Sequence, residues 1–144
     1  MMETLNEIQD QIIEEFNVFD DWMDKYSYLI EINKDMPLIA DKYKTNDYLI
    51  NGCQSKVWLF AEMDGEHIKY YADSDAIITR GIVALLIRVL SGRKPDEVKD
   101  ADLYFIDKIG LRENLSPTRA NGLYAMVKQM KLYALAYHAK QQKG

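Results

Sequence analysis

Apolar residues recur every three or four positions over the first part of the chain, the spacing of one buried helix face. Thr4 and Glu7 form the signature of a capping box, so we expect the first helix to begin there. Asp20 is the expected cap of a second helix, which Met36-Pro37 ends because proline disfavours helical geometry in the preceding residue. The predicted buried faces are Leu5, Ile8, Ile12, Phe16 and Phe19, then Trp22, Tyr26, Leu29 and Ile30.

The middle of the chain changes to short runs of aromatic and β-branched residues, which favour strands. Residues 48–50 and 56–60 are predicted as strands on either side of a polar loop, 51–56. The dipeptide Asp64-Gly65 favours a tight turn, and residues 67–71 are predicted as the next strand. This part of the chain therefore predicts a small antiparallel sheet that contains a hairpin.

The second half of the chain is predicted to be mainly helical. Residues 76–90 are apolar on nearly every face, which is typical of a helix inside the core. We expect Asp73-Ser74-Asp75 to cap this helix, and prefer capping over a metal site because the ligand count would be short. Residues 103–109 fit either a strand or a helix, and Ser116-Pro117 begins the last helix. The order of elements predicts an α+β fold in a single domain, 1–144.

Composition and charge exclude several classes of function. The chain has 144 residues, a net charge of −5 and one cysteine. The acidic balance without a basic cluster argues against nucleic-acid and membrane partners. A single cysteine cannot form an intrachain disulfide. Together with the two histidines it is a poor ligand set for zinc or an iron–sulfur cluster. We expect a cytoplasmic protein, because the sequence lacks both a signal-peptide pattern and an apolar run of roughly 20 residues.

The single cysteine, Cys53, lies in the polar loop. Free cysteines are commonly buried as small apolar residues, whereas loops on a rigid sheet commonly carry function. The residues alone leave both roles open, because the pKa and the exposure of the thiol decide its reactivity. A cysteine hydrolase is disfavoured, since neither His67 nor His138 stands in a motif that would place a catalytic base.

Arg119 stands in the first turn of the last predicted helix, where a cation opposes the helix dipole. This position is mildly unfavourable unless the guanidinium faces an acidic group or a bound anion. Capping explains the neighbouring Ser116 and Pro117 completely, but it does not explain the arginine. Arg119 is therefore a candidate functional residue.

Three blocks of sequence resemble one known family. Asn51–Trp58 resembles the G-C-Q-S-x-V-W signature of the SufE family, the sulfur-acceptor partners of cysteine desulfurases. Asp73–Ala76, with Gly81, resembles the D-S-D-A stretch before that family's buried helix. Leu115–Met126 resembles its L-[ST]-P-[ST]-R-x-x-G-L-x-A-M segment. The blocks occur in the family's order and at its spacing, so the resemblance extends over nearly the whole chain.

The resemblance implies an accessory protein with an α+β sandwich of the SufE/IscU-like type, in which Cys53 accepts sulfur as a persulfide. The expected partners are a SufS-like cysteine desulfurase, which carries pyridoxal phosphate, and a downstream iron–sulfur cluster scaffold complex. The chain itself is expected to need no cofactor or metal, and to be a monomer or a weak homodimer. Positions matched to supporting or partner-binding residues are Gly52, Gln54, Ser55, Asp75, Asp107 and Arg119.

A single thiol suits a carrier of sulfur better than a cluster scaffold. Sulfur transfer is an exchange reaction that needs one thiolate, and a second nearby thiol would resolve the persulfide into a disulfide. The main alternative is a purely allosteric activator that binds a desulfurase without taking sulfur. A cysteine-dependent enzyme with its own small-molecule substrate is the other alternative.

Overall fold

The computed structural model describes residues 3–143, so Met1, Met2 and Gly144 of the predicted 1–144 domain lie outside the described residues. Helices and a two-stranded antiparallel sheet together make the α+β fold that the sequence predicts. The helices are α1 (Leu5–Asn17), α2 (Trp22–Ile32), α3 (Ile77–Leu90), α4 (Pro95–Lys99), α5 (Phe105–Lys108) and α6 (Pro117–Lys143). The strands are β1 (Val57–Asp64) and β2 (His67–Ser74).

The first two helices begin close to their predicted starts. The Thr4 hydroxyl accepts a hydrogen bond from the Glu7 amide, and the Glu7 carboxylate accepts one from the Thr4 amide, each at 3.1 Å. The capping box is therefore confirmed. The prediction for α2 was wrong by one residue, because the carboxylate that reaches the Asp24 amide, at 2.9 Å, belongs to Asp21 and not to Asp20.

The predicted hairpin is confirmed, with Asp64 opposite His67 at its turn and Val57 opposite Ser74 at its open end. The predicted strand at 48–50 was wrong. Tyr48 belongs to a 3-10 turn, Asn46–Tyr48, and Leu49 forms only an isolated bridge with Trp58. So short a segment offers too few ladder hydrogen bonds to build a strand, and the Tyr48 ring packs edge-on against Phe60 instead.

Asp73-Ser74-Asp75 does not cap α3 as predicted. The N-cap residue is Ala76, whose own side chain cannot cap the helix, because β2 continues through Ser74. Only the Ser74 hydroxyl reaches this end of the helix, where it accepts a hydrogen bond from the Ala76 amide at 3.2 Å. The Asp73 carboxylate pairs with Lys44 at 2.6 Å and with Arg80 at 3.1 Å. Among the described residues, no group of His, Cys, Asp and Glu side chains has the arrangement of a metal site.

Helix α3 is the central element of the core, as its apolar sequence predicts. It packs against α1, α2, α6 and β2, and most of its residues are buried. The close approach of α2 requires Gly81, since a methyl group there would overlap the carbonyl oxygen of Leu29 and lie 2.9 Å from Leu29 Cγ. This contact fixes how closely α2 and α3 approach each other.

Helix α6 covers the free edge of β1. The Tyr133 and Tyr137 hydroxyls donate hydrogen bonds to the Leu59 and Ala61 carbonyls at 3.1 Å and 3.0 Å. These bonds satisfy acceptors that an edge strand would otherwise present to another chain.

The segment 103–109, which fits either a strand or a helix by sequence, contains the short helix α5. No helix among the described residues is long and apolar enough to cross a membrane.

Replacing Gly81 by alanine is expected to lower the free energy of unfolding by about 2 kcal/mol, because the added methyl group overpacks the contact between α2 and α3. Urea denaturation followed by circular dichroism measures this change. The control is Gly65→Ala in the hairpin turn, where a methyl group meets nothing within 4 Å and the positive φ costs about 1 kcal/mol. Wild-type stability of the Gly81 variant would contradict the tight contact.

Candidate functional site

The loop 51–56 joins the Leu49 bridge to β1 and packs against the first turns of α6. Gly52 has a φ of +95°, which glycine adopts without the strain that other residues incur. A methyl group at Gly52 would also lie only 3.3 Å from Ala125 Cβ on α6. The glycine before the cysteine therefore lets the chain turn sharply and approach the helix closely.

Cys53 is half-buried against α6 instead of projecting from the tip of its loop. Its thiol donates a hydrogen bond to the Gly122 carbonyl, with 3.6 Å between sulfur and oxygen. A methyl group at Gly122 would lie 3.5 Å from Sγ, an ordinary van der Waals distance, so the sulfur lies directly against this turn of α6. The turn at Gly52 in the loop and the contact at Gly122 on α6 thus place the thiol against the helix.

Burial raises the pKa of the Cys53 thiol, because a thiolate loses more solvation energy than a thiol when water is removed. The hydrogen bond to the Gly122 carbonyl favours the same neutral form, since only the protonated sulfur can donate. In this conformation Cys53 is therefore a protected thiol and a weak nucleophile.

The thiol opens into a cavity of about 320 Å³ between the loop, α3 and α6, which we call the Cys53 cavity. Its inner wall is buried, and its outer wall carries mainly hydroxyl and amide groups with one guanidinium. The inner wall comprises Thr79, Ile82, Gly122 and Met126, and the outer wall comprises Gln54, Ser55, Ser116, Thr118 and Arg119. No imidazole lines this cavity: His67 begins β2, and His138 lines a separate cavity with Glu66.

The structure brings Gln54, Ser55 and Arg119 to the same cavity as Cys53. Arg119 is exposed and makes no ion pair within residues 3–142. Its backbone amide donates to the Ser116 hydroxyl at 3.3 Å, so Ser116 caps α6 as predicted. The guanidinium is therefore available to a ligand or a partner at the mouth of the cavity.

Asp75 acts on the loop without lining the cavity. Its carboxylate accepts a hydrogen bond from the Lys56 amide at 3.0 Å, and its own amide donates to the Lys56 carbonyl at 3.2 Å. The Ser74 hydroxyl donates to the same carbonyl at 2.7 Å. These bonds fasten the end of the loop at Lys56.

Asp107 lies away from Cys53, in a second groove lined by α5 and the outer face of α6. Its carboxylate is 68% exposed and pairs with Arg112 at 3.2 Å. The structure does not bring Asp107 into the Cys53 cavity, so any role in partner binding would be exerted from a different surface.

Sequence reasoning did not select most of the residues that α3 and α6 contribute to the cavity. Gly122 lies in a matched block that indicates no role for it, and Thr79 stands beside Arg80 in the first turn of α3, where no sequence signal marks it. The residues missed are Thr79, Ile82, Ser116, Thr118, Gly122 and Met126.

Comparisons with known proteins agree with these motifs. The family described as "SufE: Fe-S metabolism associated domain" matches residues 10–134. An uncharacterized SufE-like protein of Rhizobium etli is 42% identical over 127 residues, covering 85% of this chain and 86% of its own. An uncharacterized SufE-like protein of Synechocystis is 34% identical over 134 residues, covering 93% of this chain and 84% of its own.

The fold also has a counterpart among solved structures. The solution structure of a hypothetical protein from Thermus thermophilus superposes with a TM-score of 0.74 and covers 90% of this chain and 94% of its own. At 21% identity this likeness shows the fold alone. Because the family match spans most of the sequence and the relatives are matched over most of their length, the chain belongs to the SufE family, associated with Fe–S metabolism.

Proposed function

We propose that this protein accepts sulfane sulfur on Cys53 from the persulfide of a SufS-like cysteine desulfurase and passes it to an iron–sulfur scaffold complex. It stimulates desulfurase turnover by removing the sulfur. The observation that carries this proposal is the placement of the only cysteine in the lining of a cavity that Arg119 also lines and that contains no histidine base. A thiol without its own base suits exchange with a partner's activated sulfur better than hydrolysis.

The transfer is a substitution at sulfur. The Cys53 thiolate attacks the terminal sulfur of the desulfurase persulfide, which forms an S–S bond on Cys53 and breaks the S–S bond on the desulfurase. The desulfurase cysteine leaves as a thiolate, so no external oxidant or reductant is needed. The pyridoxal phosphate that generates the first persulfide belongs to the desulfurase, and this chain needs no cofactor of its own.

The resting thiol must leave its present position before it can react. Burial and the Gly122 carbonyl keep the sulfur protonated, and α6 blocks one side of it. Docking of the desulfurase would move the residues around Gly52 and Cys53 outward, while the bonds at Lys56 hold the end of the loop. Return of the loop to its resting position would then shield the persulfide inside the cavity between transfers.

The partner surface is proposed to surround the cavity mouth. Gln54 and Ser55 lie on the loop that must move, and Arg119 presents a cation beside it. The exposed guanidinium is suited to a carboxylate on the desulfurase. Asp107 would contact a partner only through the second groove. The cytoplasmic location of the protein stays a prediction.

Replacing Cys53 by serine is expected to abolish the stimulation of desulfurase turnover, because the hydroxyl of serine cannot take up the sulfur. The measurement is sulfide release from cysteine by a SufS-like desulfurase with increasing amounts of each variant. The control is Asn51→Ala, which changes an exposed residue of the same loop that does not line the cavity and should stimulate normally. Full stimulation by Cys53→Ser would instead support the allosteric activator.

Alkylation of Cys53 by iodoacetamide at about pH 8 is expected to be several-fold slower in the folded chain than in the urea-unfolded chain. Only the thiolate reacts, and the pKa of the thiol is raised in the folded state. The folded-state rate should therefore continue to rise with pH after the unfolded-state rate has levelled off. N-acetylcysteine in the same buffers corrects for the effect of urea. A faster reaction in the folded chain at every pH would contradict a protected thiol.

Replacing Arg119 by alanine is expected to reduce desulfurase stimulation several-fold while shifting the melting temperature by no more than about 2 °C, because the side chain is exposed. Lys128→Ala is the matched control, since Lys128 is an exposed cation of α6 outside the Cys53 cavity. A large fall in melting temperature with normal stimulation would show that Arg119 has only a structural role.

A further inference from the structure

Helix α6 is apolar on two of its faces. The inner face is buried in the core, where Leu123 is 1% exposed and Met130 is fully covered. The outer face carries Tyr124, Leu132 and Leu135, which are 71%, 45% and 48% exposed. A helix that is apolar on more than one side is typically covered on more than one side, so the outer face is expected to have a partner.

The outer face of α6 borders a groove of about 370 Å³ between α4 and α6, which we call the α6 groove. Among the described residues, every charged side chain that lines this groove is a lysine. The lining comprises Tyr124, Val127, Leu132 and Leu135 together with Lys99, Lys128 and Lys131. An apolar groove bordered by charges of one sign is typical of a docking site for an amphipathic segment.

The chain itself compensates these lysine charges only in part. The Lys131 ammonium group donates a hydrogen bond to the Ala101 carbonyl at 2.5 Å, and that acceptor is neutral. Lys99 pairs with Asp100 at 2.9 Å, but the Asp100 side chain is 70% exposed. Lys128 makes no ion pair within residues 3–142. In a chain with a net charge of −5, the α6 groove is therefore a local positive surface.

The lysines decide between a second copy of this chain and a different partner. In a two-fold dimer formed by the outer faces of α6, the lysines of each copy would lie opposite those of the other and repel them. A partner that carries carboxylates beside apolar side chains would satisfy both the charges and the apolar surface. The stripe from Tyr124 to Leu135 is about 17 Å long at 1.5 Å per residue, which matches about three turns of a partner helix.

We propose that the α6 groove docks an acidic amphipathic helix of a second protein partner, distinct from the desulfurase that takes part at Cys53. Tyr124 and Lys131 lie about half a turn around α6 from Gly122, which lines the Cys53 cavity. A partner in the groove therefore leaves the mouth of the Cys53 cavity open. Docking there needs no sulfur on Cys53.

The probe is a synthetic helical peptide of about 18 residues with a stripe of leucines flanked by glutamates. The control peptide has lysines in place of the glutamates. Fluorescence anisotropy of the labelled peptides measures their binding to the whole chain. The acidic peptide is expected to bind at least about tenfold more tightly than the basic one at low salt, and to lose affinity as the salt concentration rises.

The combined substitution Leu132→Gln and Leu135→Gln is expected to weaken binding of the acidic peptide about tenfold, because it removes two apolar contacts from the groove. Val18→Gln with Met23→Gln is the matched control, since these exposed apolar side chains lie outside the groove and the variant should bind as the wild type does. If the groove variant does not fold, Tyr124→Gln replaces it and should weaken binding several-fold.

Equal binding of the two peptides, or wild-type binding by the groove variants, would overturn the proposal. Analytical ultracentrifugation of the chain alone tests for a second copy, and a dimer that dissociates on substitution of Leu132 and Leu135 would contradict a different partner. Binding to phosphatidylglycerol vesicles that the same substitutions abolish would assign the groove to a membrane surface instead. These measurements use neither a desulfurase nor sulfur, so their outcome is separate from that of sulfur transfer.

Discussion

The close contact between the Cys53 loop and α6 is the constraint on which the whole site depends. The sulfur lies 3.6 Å from the Gly122 carbonyl oxygen, and Gly52 lets the loop turn against Ala125. A side chain at Gly52 would strain its positive φ and crowd Ala125. The cavity, the protection of the thiol and the position of Arg119 beside it all follow from this contact.

The same contact gives the thiol two properties that a carrier of sulfur needs in turn. At rest, burial and the Gly122 carbonyl keep the sulfur neutral and slow to react. On its exposed side the cavity presents hydroxyl and amide groups and the Arg119 guanidinium to an incoming partner. In the proposed cycle the loop alternates between exposure to a partner and retreat into this cavity, while α3, α6 and the bonds at Lys56 stay in place.

Sequence patterns predict what depends on neighbours along the chain. The capping box at Thr4, the hairpin turn at Asp64-Gly65 and the buried helix α3 follow from local spacing and are confirmed. The missed features depend on contacts between distant residues. The Asp73 carboxylate is taken by Lys44 and Arg80, and Cys53 and Arg119 line one cavity only because the loop packs against the first turns of α6. No periodicity within the sequence predicts such contacts between distant residues.

The central claim is that Cys53 itself carries the sulfur. Intact-protein and peptide mass spectrometry, after incubation with a SufS-like desulfurase and cysteine without reductant, tests it most directly. The account predicts an adduct of about 32 Da, one sulfur atom, on the peptide that contains Cys53, and its loss on treatment with a reductant. Stimulated desulfurase turnover without any adduct on Cys53 would contradict the account and establish an allosteric activator instead.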